Sequence, residues 1–411
     1  MRRSESHHLQ TGGRVFLDAE TSREVSLFRT ANKMKKSSPT PAPVAKAIVR
    51  KPRIRVRLAD VAKMAKVSRT VVGQVLNGGA GNSRVGEETA KRIKQIAQQM
   101  EYRPNPASLQ LLGKRSHTYG VLVASAGDPL RSFLVQYLDT EAVKVGCHTI
   151  IGNTMGRNEP SQFSYYIDEF AHRGVDGVFC TVHDWLEGDR KALVEQHPNT
   201  VFYNDPGIEG ACYVEVDRKE AVRLAVRHLV ERGRKRIGIA LTNLSKPTSR
   251  ARMQGYEEEL PAHNLALDEA LVFNAAKYDP ANSADPIHPE HNAEKLLWEY
   301  PSGVVDQSID DLVRDARADA IIAHDDFWAA TLLKRLRSRG ISVPRDVAVV
   351  GYLNHYLTDW TDPPLTTIDL LHESAAKQMI SMMERQISEG SLSDNQRVVT
   401  IQPRLIVRES T

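Results

Sequence analysis

The feature that most constrains the fold is a regular alternation of short apolar runs and helical patterns, which begins at Tyr119. Runs rich in Val and Ile recur along the chain, among them GVLV, TVFY, RIGIA and DVAVV. Between them lie segments with helical spacing of apolar residues, such as FLVQYLDTEAVKVG and RKEAVRLAVRHLVERG. Apolar strands that alternate with helices are typical of a parallel sheet covered on both faces. The sequence therefore predicts an α/β body.

This body is too long for one doubly wound domain. It occupies about 290 residues of the 411-residue chain, whereas domains most often have about 100–150 residues. We therefore expect two lobes. Residues 276–310 are polar and contain several prolines, a pattern that predicts a surface insertion.

Ahead of the body, residues 56–76 have the pattern of two short helices joined by a tight turn. The inward positions of the first helix are Leu58, Val61, Ala62 and Ala65. Lys66-Val67 makes the turn, and Ser68 is a suitable N-cap for the second helix. That helix turns Val72 and Val75 inward. Its outward residues are Arg69, Thr70, Gly73 and Gln74. A third helix is predicted from about Glu87 to Glu101, with Ile93, Ile96, Ala97 and Met100 buried. The pattern fits a DNA-binding helix-turn-helix, although an ordinary helical hairpin has the same apolar spacing.

The distribution of charge favours the DNA-binding interpretation. Residues 1–116 contain 24 Lys and Arg against 8 Asp and Glu, and the rest of the chain contains 31 against 43. A basic front end on an acidic body is typical of a nucleic-acid module attached to another domain. A basic membrane-binding segment would also need an amphipathic apolar stripe, which the sequence lacks.

Composition excludes several other classes of protein. No run of eighteen apolar residues exists, and the N-terminus has no apolar segment typical of a secretory signal, so we expect a cytoplasmic protein. Cys147, Cys180 and Cys212 are far apart and should be buried thiols. GxSxG, P-loop and GxGxxG motifs are absent, so no enzyme activity and no cofactor are predicted. His324-Asp325-Asp326 could suggest a metal, but neighbouring side chains diverge and no second cluster joins them.

From residue 56 onward the chain resembles the LacI/GalR family of bacterial transcription regulators. The matching blocks occur in the family's order: LADVAKMAKVS, VLN, EET, GVLV, VRHLVERGRKRIGIA, RARMQGY, AHDDFWA, VPRDVAVVGY, PPLTTI and RLIVREST. The resemblance implies an all-α helix-turn-helix DNA-binding domain plus a two-lobed periplasmic-binding-protein-like α/β effector domain. It also implies three crossovers between the lobes, a small-molecule effector in the cleft, and a palindromic DNA operator bound by a dimer.

The resemblance assigns DNA contacts to the second helix and to a later hinge. Base-reading positions fall on Arg69, Thr70 and Gln74, because Arg can pair with guanine and Gln with adenine. The hinge helix falls on Ala107 to Leu112, with Leu111 as the residue that wedges into the minor groove. Alternatively, its leucines pack onto the body. The complete predicted DNA-binding set is Ser68, Arg69, Thr70, Gln74, Asn77, Asn105, Ser108 and Leu111.

Effector contacts are predicted at the ends of strands, where open α/β sheets place their ligands. By resemblance, Arg252 grips effector hydroxyls or a carboxylate, and Asp325 contacts the effector unless it only caps the next helix. Phe133 could stack on a sugar face. The complete predicted effector-binding set is Asp128, Arg131, Phe133, His183, Asp184, Arg252, Asp325, Asn354 and His372.

The sequence thus predicts four parts: a disordered basic arm (1–55), a helix-turn-helix domain (56–104), a hinge and linker (105–116) and a two-lobed effector-binding and dimerisation domain (117–411). The predicted function is a DNA-binding repressor that works as a homodimer. Its expected effector is a sugar or a related metabolite. The alternative is a sugar-binding sensory module without a DNA function.

Overall fold

The computed structural model describes residues 56–76, 85–103, 113–124, 129–154, 161–182, 187–278 and 302–411. The first described segments form a three-helix domain of α1 (Leu58–Ala65), α2 (Arg69–Leu76) and α3 (Glu87–Gln99). Lys66 ends α1 in the left-handed region, with φ 55°, and so makes the predicted turn. The fully buried side chains of this domain are Val61, Ala62, Ala65, Val72, Ile93 and Ala97. Each of them was predicted to face inward.

The first lobe is built on a six-stranded sheet with the order β11-β5-β4-β3-β1-β2. Its strands are β1 (Thr118–Val123), β2 (His148–Asn153), β3 (Gly177–Cys180), β4 (Thr200–Tyr203), β5 (Cys212–Val216) and β11 (Val398–Ile401). Every neighbouring pair in this sheet is parallel. The helices of this half of the chain are α4 (Pro129–Lys144), α5 (Ser161–Arg173) and α6 (Glu187–Gln196).

The second lobe has a matching sheet with the order β12-β10-β9-β8-β6-β7. Its strands are β6 (Ile237–Leu241), β7 (Val272–Asn274), β8 (Ala320–Ile322), β9 (Ala348–Tyr352), β10 (Thr366–Asp369) and β12 (Arg404–Ile406). Only the pairing of β10 with β12 is antiparallel among these described strands. The helices that follow are α7 (Arg218–Glu231), α8 (Pro247–Ala262), α9 (Ser302–Ile309), α10 (Asp326–Ser338), α11 (His372–Glu389) and α12 (Asp394–Arg397). Shorter helical turns are Glu269–Leu271, Ala275–Lys277, Asp310–Asp315 (a π-helix) and Tyr356–Asp359.

The described chain passes between the two lobes three times, as the family resemblance implied. It leaves the first sheet after β5 and enters α7, which packs against α8 in the second lobe. It returns after β10 through α11, which packs on α4, β4 and β5. It crosses again between β11 and β12. Each lobe therefore contains segments that are distant in the sequence.

The buried side chains of the body form three clusters. One contains residues of both sheets, such as Tyr119 and Ile239, and joins the lobes. Leu122 and Phe170 belong to a second cluster in the first lobe, and Ile321 and Trp328 to a third in the second lobe. The three cysteines are buried and form no disulfide with one another, as predicted.

The segment predicted as a polar insertion is partly a core element. Residues 279–301 lie outside the described residues. From residue 302 the segment forms α9, whose Val304, Val305 and Ile309 are buried in the second-lobe cluster that contains Ile321 and Trp328. The prediction of a surface segment is therefore wrong for α9. The short apolar stripe of α9 was not recognised in the sequence, because many polar residues come just before it.

Candidate DNA-binding surface and ligand cleft

The second helix of the three-helix domain presents a polar face that has no partner among the described residues. The Val71 backbone N–H donates to Ser68 Oγ over 3.3 Å, which confirms Ser68 as the cap of α2. Val72 is fully buried and Val75 partly buried, so α2 is fixed against α1 and α3. Arg69, Thr70 and Gln74 are all exposed.

The exposed side chains of α2 are free to bind. Among the described residues, Arg69 forms no ion pair and no hydrogen bond, and Gln74 likewise has no partner. A guanidinium and an amide on one exposed helix face can form bidentate contacts with base edges in a major groove. The other predicted DNA-binding residues, Asn77, Asn105, Ser108 and Leu111, lie outside the described residues.

The end of the linker is attached to the first lobe by a charged network centred on Arg115. Its Nη2 donates to Glu384 Oε1 over 2.6 Å, and its Nη1 donates to Glu384 Oε2 over 3.1 Å. Its Nε donates to Asp176 Oδ2 over 3.2 Å. Asp176 also accepts from the Ser116 and His117 backbone N–H groups, over 2.6 and 2.9 Å. The guanidinium of Arg115 lowers the pKa of Glu384 and favours its ionised form.

A group of buried polar side chains occupies the region where the lobes meet. Arg252 of α8 is 9% exposed, and its guanidinium carbon lies 3.6 Å from the centroid of the Tyr352 ring at the end of β9. Arg252 Nη1 donates to the His324 carbonyl oxygen over 2.6 Å. Burial lowers the pKa of Arg252, and the charge of Arg218 lowers it further. Arg252 is therefore a buried cation at the position where the resemblance predicted an effector-binding Arg.

His372 closes the same region from the first-lobe side. It is the first residue of α11, it is buried, and its ring centroid lies 6.0 Å from that of Tyr203 at the end of β4. Burial lowers the pKa of His372 to about 4, with Arg218 as a further cause. The ring is therefore neutral near pH 7, when it can donate one hydrogen bond and accept another.

Arg218 was not among the predicted site residues. It is the first residue of α7, directly after the crossover from β5, and it acts electrostatically on both Arg252 and His372. In the sequence it begins the run Arg218-Lys219-Glu220, which looks like a solvated helix face. The end of β5, two residues before Arg218, was the signal that could have placed Arg218 near the ligand site, because ligands bind at strand ends. That strand was not predicted from the sequence.

Asp325 caps the helix that follows it. Its Oδ1 accepts from the Trp328 backbone N–H over 2.8 Å, and the residue is 2% exposed. The structure thus confirms the capping role that the sequence offered as an alternative. Asp325 also acts electrostatically on Arg252. Its predicted contact with an effector stays a prediction.

Asn354 is already engaged within the second lobe. Its Nδ2 donates to Asp369 Oδ2 over 3.3 Å, and its Oδ1 accepts from Arg408 Nη2 over 3.2 Å. Both ends of the amide therefore have protein partners, and the described contacts give no support to its predicted effector role.

Phe133 of α4 contacts the opposite lobe. Its ring lies edge-on to His355, with centroids 4.9 Å apart, and 6.1 Å from the ring of Tyr356. The ring centroid of Phe327 lies 4.7 Å from that of His355. Phe133 therefore bridges the lobes, and its stacking on a ligand stays a prediction. Asp128, His183 and Asp184 lie outside the described residues, as does the side chain of Arg131.

Within the ranges that the structure describes, no three His, Cys, Asp or Glu side chains are grouped so that they could hold a metal ion. None of the helices in those ranges is long and apolar enough to cross a membrane.

Comparison with known proteins gives consistent matches along most of the chain. The family model described as bacterial regulatory proteins, lacI family, matches residues 57–105. The model for periplasmic binding proteins and sugar binding domain of LacI family matches residues 116–277. A periplasmic binding protein-like domain matches residues 226–411.

Individual relatives have low sequence identity to this chain, but the alignments cover most of both proteins. The chain is 24% identical over 355 residues to the HTH-type transcriptional repressor PurR of Histophilus somni (strain 129Pt), covering 86% of this chain and 98% of the relative. It is 27% identical over 315 residues to catabolite control protein A of Staphylococcus xylosus, covering 76% of this chain and 87% of that protein.

Solved structures show the same fold. A lac repressor dimer bound to operator and the anti-inducer ONPF matches with a TM-score of 0.70 at 19% identity, over 86% of this chain and 98% of that one. A complex of the transcriptional regulator CelR with cellobiose matches with a TM-score of 0.59 at 23% identity, over 87% of this chain and all of that one.

These matches, together with the helix-turn-helix and the two-sheet body, define a DNA-binding transcription regulator with a periplasmic-binding-protein-like ligand domain. The chain belongs to the LacI/GalR family.

Proposed function

We propose that the protein is a transcriptional repressor that binds a palindromic operator as a homodimer. A small metabolite, a sugar or a relative of one, binds between the lobes and controls the affinity for DNA. The observation that carries the proposal is the exposed and unpartnered face of Arg69, Thr70 and Gln74 on a helix fixed by its buried side. The assignment of Asn105, Ser108 and Leu111 to a minor-groove hinge is part of the same proposal.

Helix α11 offers a physical route from the cleft to the DNA-binding part. His372 at its first turn lies among the cleft residues, and Glu384 on the same helix holds Arg115 at the end of the linker. Glu384 follows His372 by twelve positions, which corresponds to about 18 Å of helix. A ligand with different affinities for two lobe arrangements would move α11 and so reposition the linker.

The test is selection of binding sites from random-sequence duplex DNA with the full-length protein, followed by fluorescence anisotropy on the enriched sequence. We expect a palindromic site and an affinity that falls steeply with salt, because Lys and Arg release counterions from phosphates. Failure to enrich any sequence, with or without added metabolites, would reject the repressor proposal. Ligand binding without DNA enrichment would favour a sensory module instead.

Arg69→Ala is the sharpest single change at this surface. We expect the affinity for the enriched site to fall about 5- to 150-fold, since one bidentate base contact contributes about 1–3 kcal/mol of discrimination. Lys94→Ala removes the same charge from the exposed face of α3 and serves as the matched control. Equal losses in the two variants would show that Arg69 contributes only charge.

A further inference from the structure

Two arginines in the region where the lobes meet have side-chain donors with no acceptor among the described residues. Arg252 Nε is buried without a hydrogen-bond partner. Arg218 Nε and Nη1 are also buried and have no hydrogen-bond partner. Neither guanidinium has a carboxylate within ion-pair distance among the described residues. Three buried guanidinium nitrogens of two arginines therefore lack an acceptor among the described residues, and a ligand could supply one.

We propose that the ligand of this cleft is an anion, a small metabolite that carries a carboxylate or a phosphate held between Arg218 and Arg252. The inference rests on the proposed function, because it assigns a chemical class to that function's effector. Arg forms planar, bidentate hydrogen bonds with these two groups, and charge-assisted hydrogen bonds of this kind are about twice as strong as neutral ones.

The nearby carboxylates have other partners among the described residues. Glu215, which interacts electrostatically with Arg218, accepts from Thr400 Oγ1 over 3.4 Å. Asp217 accepts from the Glu220 backbone N–H over 2.9 Å and caps α7. Asp325 caps α10 as described above. Asp369 binds Arg404 Nη2 over 2.9 Å and also accepts from Asn354. An anionic ligand is therefore the partner that can neutralise the two guanidinium groups without dismantling these contacts.

The electrostatics of this region also favour an anion. The charge of Arg218 lowers the pKa of both Arg252 and His372, so Arg218 lies near both side chains. Lys246 adds a further positive charge on the His324 side. Leaving a buried donor unpaired costs about as much as losing its hydrogen bond, so a site with three of them favours a ligand rich in acceptors. A neutral sugar could accept these hydrogen bonds but would leave both charges uncompensated.

The deciding experiment compares thermal unfolding of the full-length protein in sodium phosphate and in sodium chloride of equal ionic strength. We expect phosphate to raise the Tm of the native protein by more than chloride does. Arg218→Gln should lose this excess, whereas Arg218→Lys should keep part of it because the charge remains. Arg232→Gln, which removes an exposed Arg from the other end of α7, should behave like the native protein.

Calorimetric titrations then separate the two sources of anion. D-gluconate tests the carboxylate and glucose 6-phosphate tests the phosphate, and neutral glucose is the matched control for both. We expect at least one anion to bind more tightly than glucose, with an affinity that Arg218→Gln lowers about 10- to 150-fold. The inference is overturned if phosphate, gluconate and glucose 6-phosphate all stabilise native and Arg218→Gln protein equally. Selection of operator DNA is independent of this result, so the two proposals can fail separately.

Discussion

At the scale of single residues, the region where the lobes meet combines the buried Arg252, the half-buried Arg218 and a neutral histidine. This combination is unusual, because burial makes charged groups costly unless they are paired. Sequence reasoning reached Arg252 and His372 through the family resemblance, but it missed Arg218, whose position follows from the crossover. It also proposed Asn354, whose amide is used by Arg408 and Asp369, partners that only the folded chain brings near.

His372 should make stability depend on pH. Its pKa is lowered from 6.5 to about 4 in the folded protein, so the unfolded chain binds more protons between these values. The stabilising effect of the neutral ring is complete above pH 6.5 and is lost as the pH falls toward 4. His372→Gln should reduce the slope of unfolding free energy against pH in this window by up to about 1.4 kcal/mol per unit. His324 has a pKa shifted in the same direction and should keep part of the slope.

Denaturant titrations at several pH values measure this slope directly. The slope is more informative than the absolute stability, because the substitution also changes packing beside Tyr203. An unchanged slope in His372→Gln would show that the histidine is not held neutral in the folded state.

Gly73 should be replaceable by Ala with a gain in stability. It lies inside α2, and a Cβ atom added there meets no atom within 4 Å. Ala is more favourable than Gly in a helix interior by about 1 kcal/mol. Hydrogen exchange of the α2 amides in the full-length protein should therefore slow about 5-fold in Gly73→Ala.

Gly351→Ala is the opposite case and a useful control. A Cβ atom at Gly351 would collide with the Asp326 carboxylate, which is buried and accepts from Thr367 Oγ1 over 2.6 Å. We expect this variant to lose stability. Faster exchange in Gly73→Ala would mean that α2 has a conformation other than the regular helix described here.

At the scale of secondary-structure elements, α11 has a double role. It returns the chain to the first lobe, and it connects a cleft residue to the linker through the Arg115–Glu384 ion pair. The two charged side chains of this pair are about one-third exposed, so the ion pair alone should contribute little to overall stability. Its value would lie in fixing the position of the linker relative to α11.

Glu384→Gln tests that role. We expect trypsin to cleave the native-state protein after Lys114 and Arg115 several times faster, because the substitution removes the negative charge and one of the two acceptor oxygens that hold Arg115. The contacts of Arg115 with Asp176, Tyr119 and Cys147 remain. The affinity for operator should fall, while the melting temperature changes little. Glu389→Gln breaks the ion pair with Arg385 on the same helix and is the matched control.

Cleavage at the native rate in Glu384→Gln would show that Asp176 alone holds the linker. Faster cleavage in both variants would indicate a general loosening of α11 and would count against a specific anchor.

At the scale of the whole molecule, the strands that could be predicted are those with continuous apolar sequences. Burial on both faces requires such sequences, and β1, β3, β4, β6 and β9 satisfy this condition closely. Strand β5 was not predicted, because Tyr213 and Glu215 are half-buried and break its apolar run. The last three strands are short, and two of them lie at sheet edges. The two-lobed plan was therefore predictable, whereas the exact path between the lobes was not.

The parallel pairing of β11 with β5 has a consequence for biosynthesis. The strand that completes the first sheet, Val398–Ile401, is translated after most of the second sheet. During synthesis on the ribosome, the edge of β5 therefore stays without its partner strand while some 180 further residues emerge. Pairing across such a separation is intrinsically slow and exposes strand edges to wrong partners. Premature termination anywhere before residue 398 would leave both halves incomplete, which makes the fragment a natural client for chaperones and proteases.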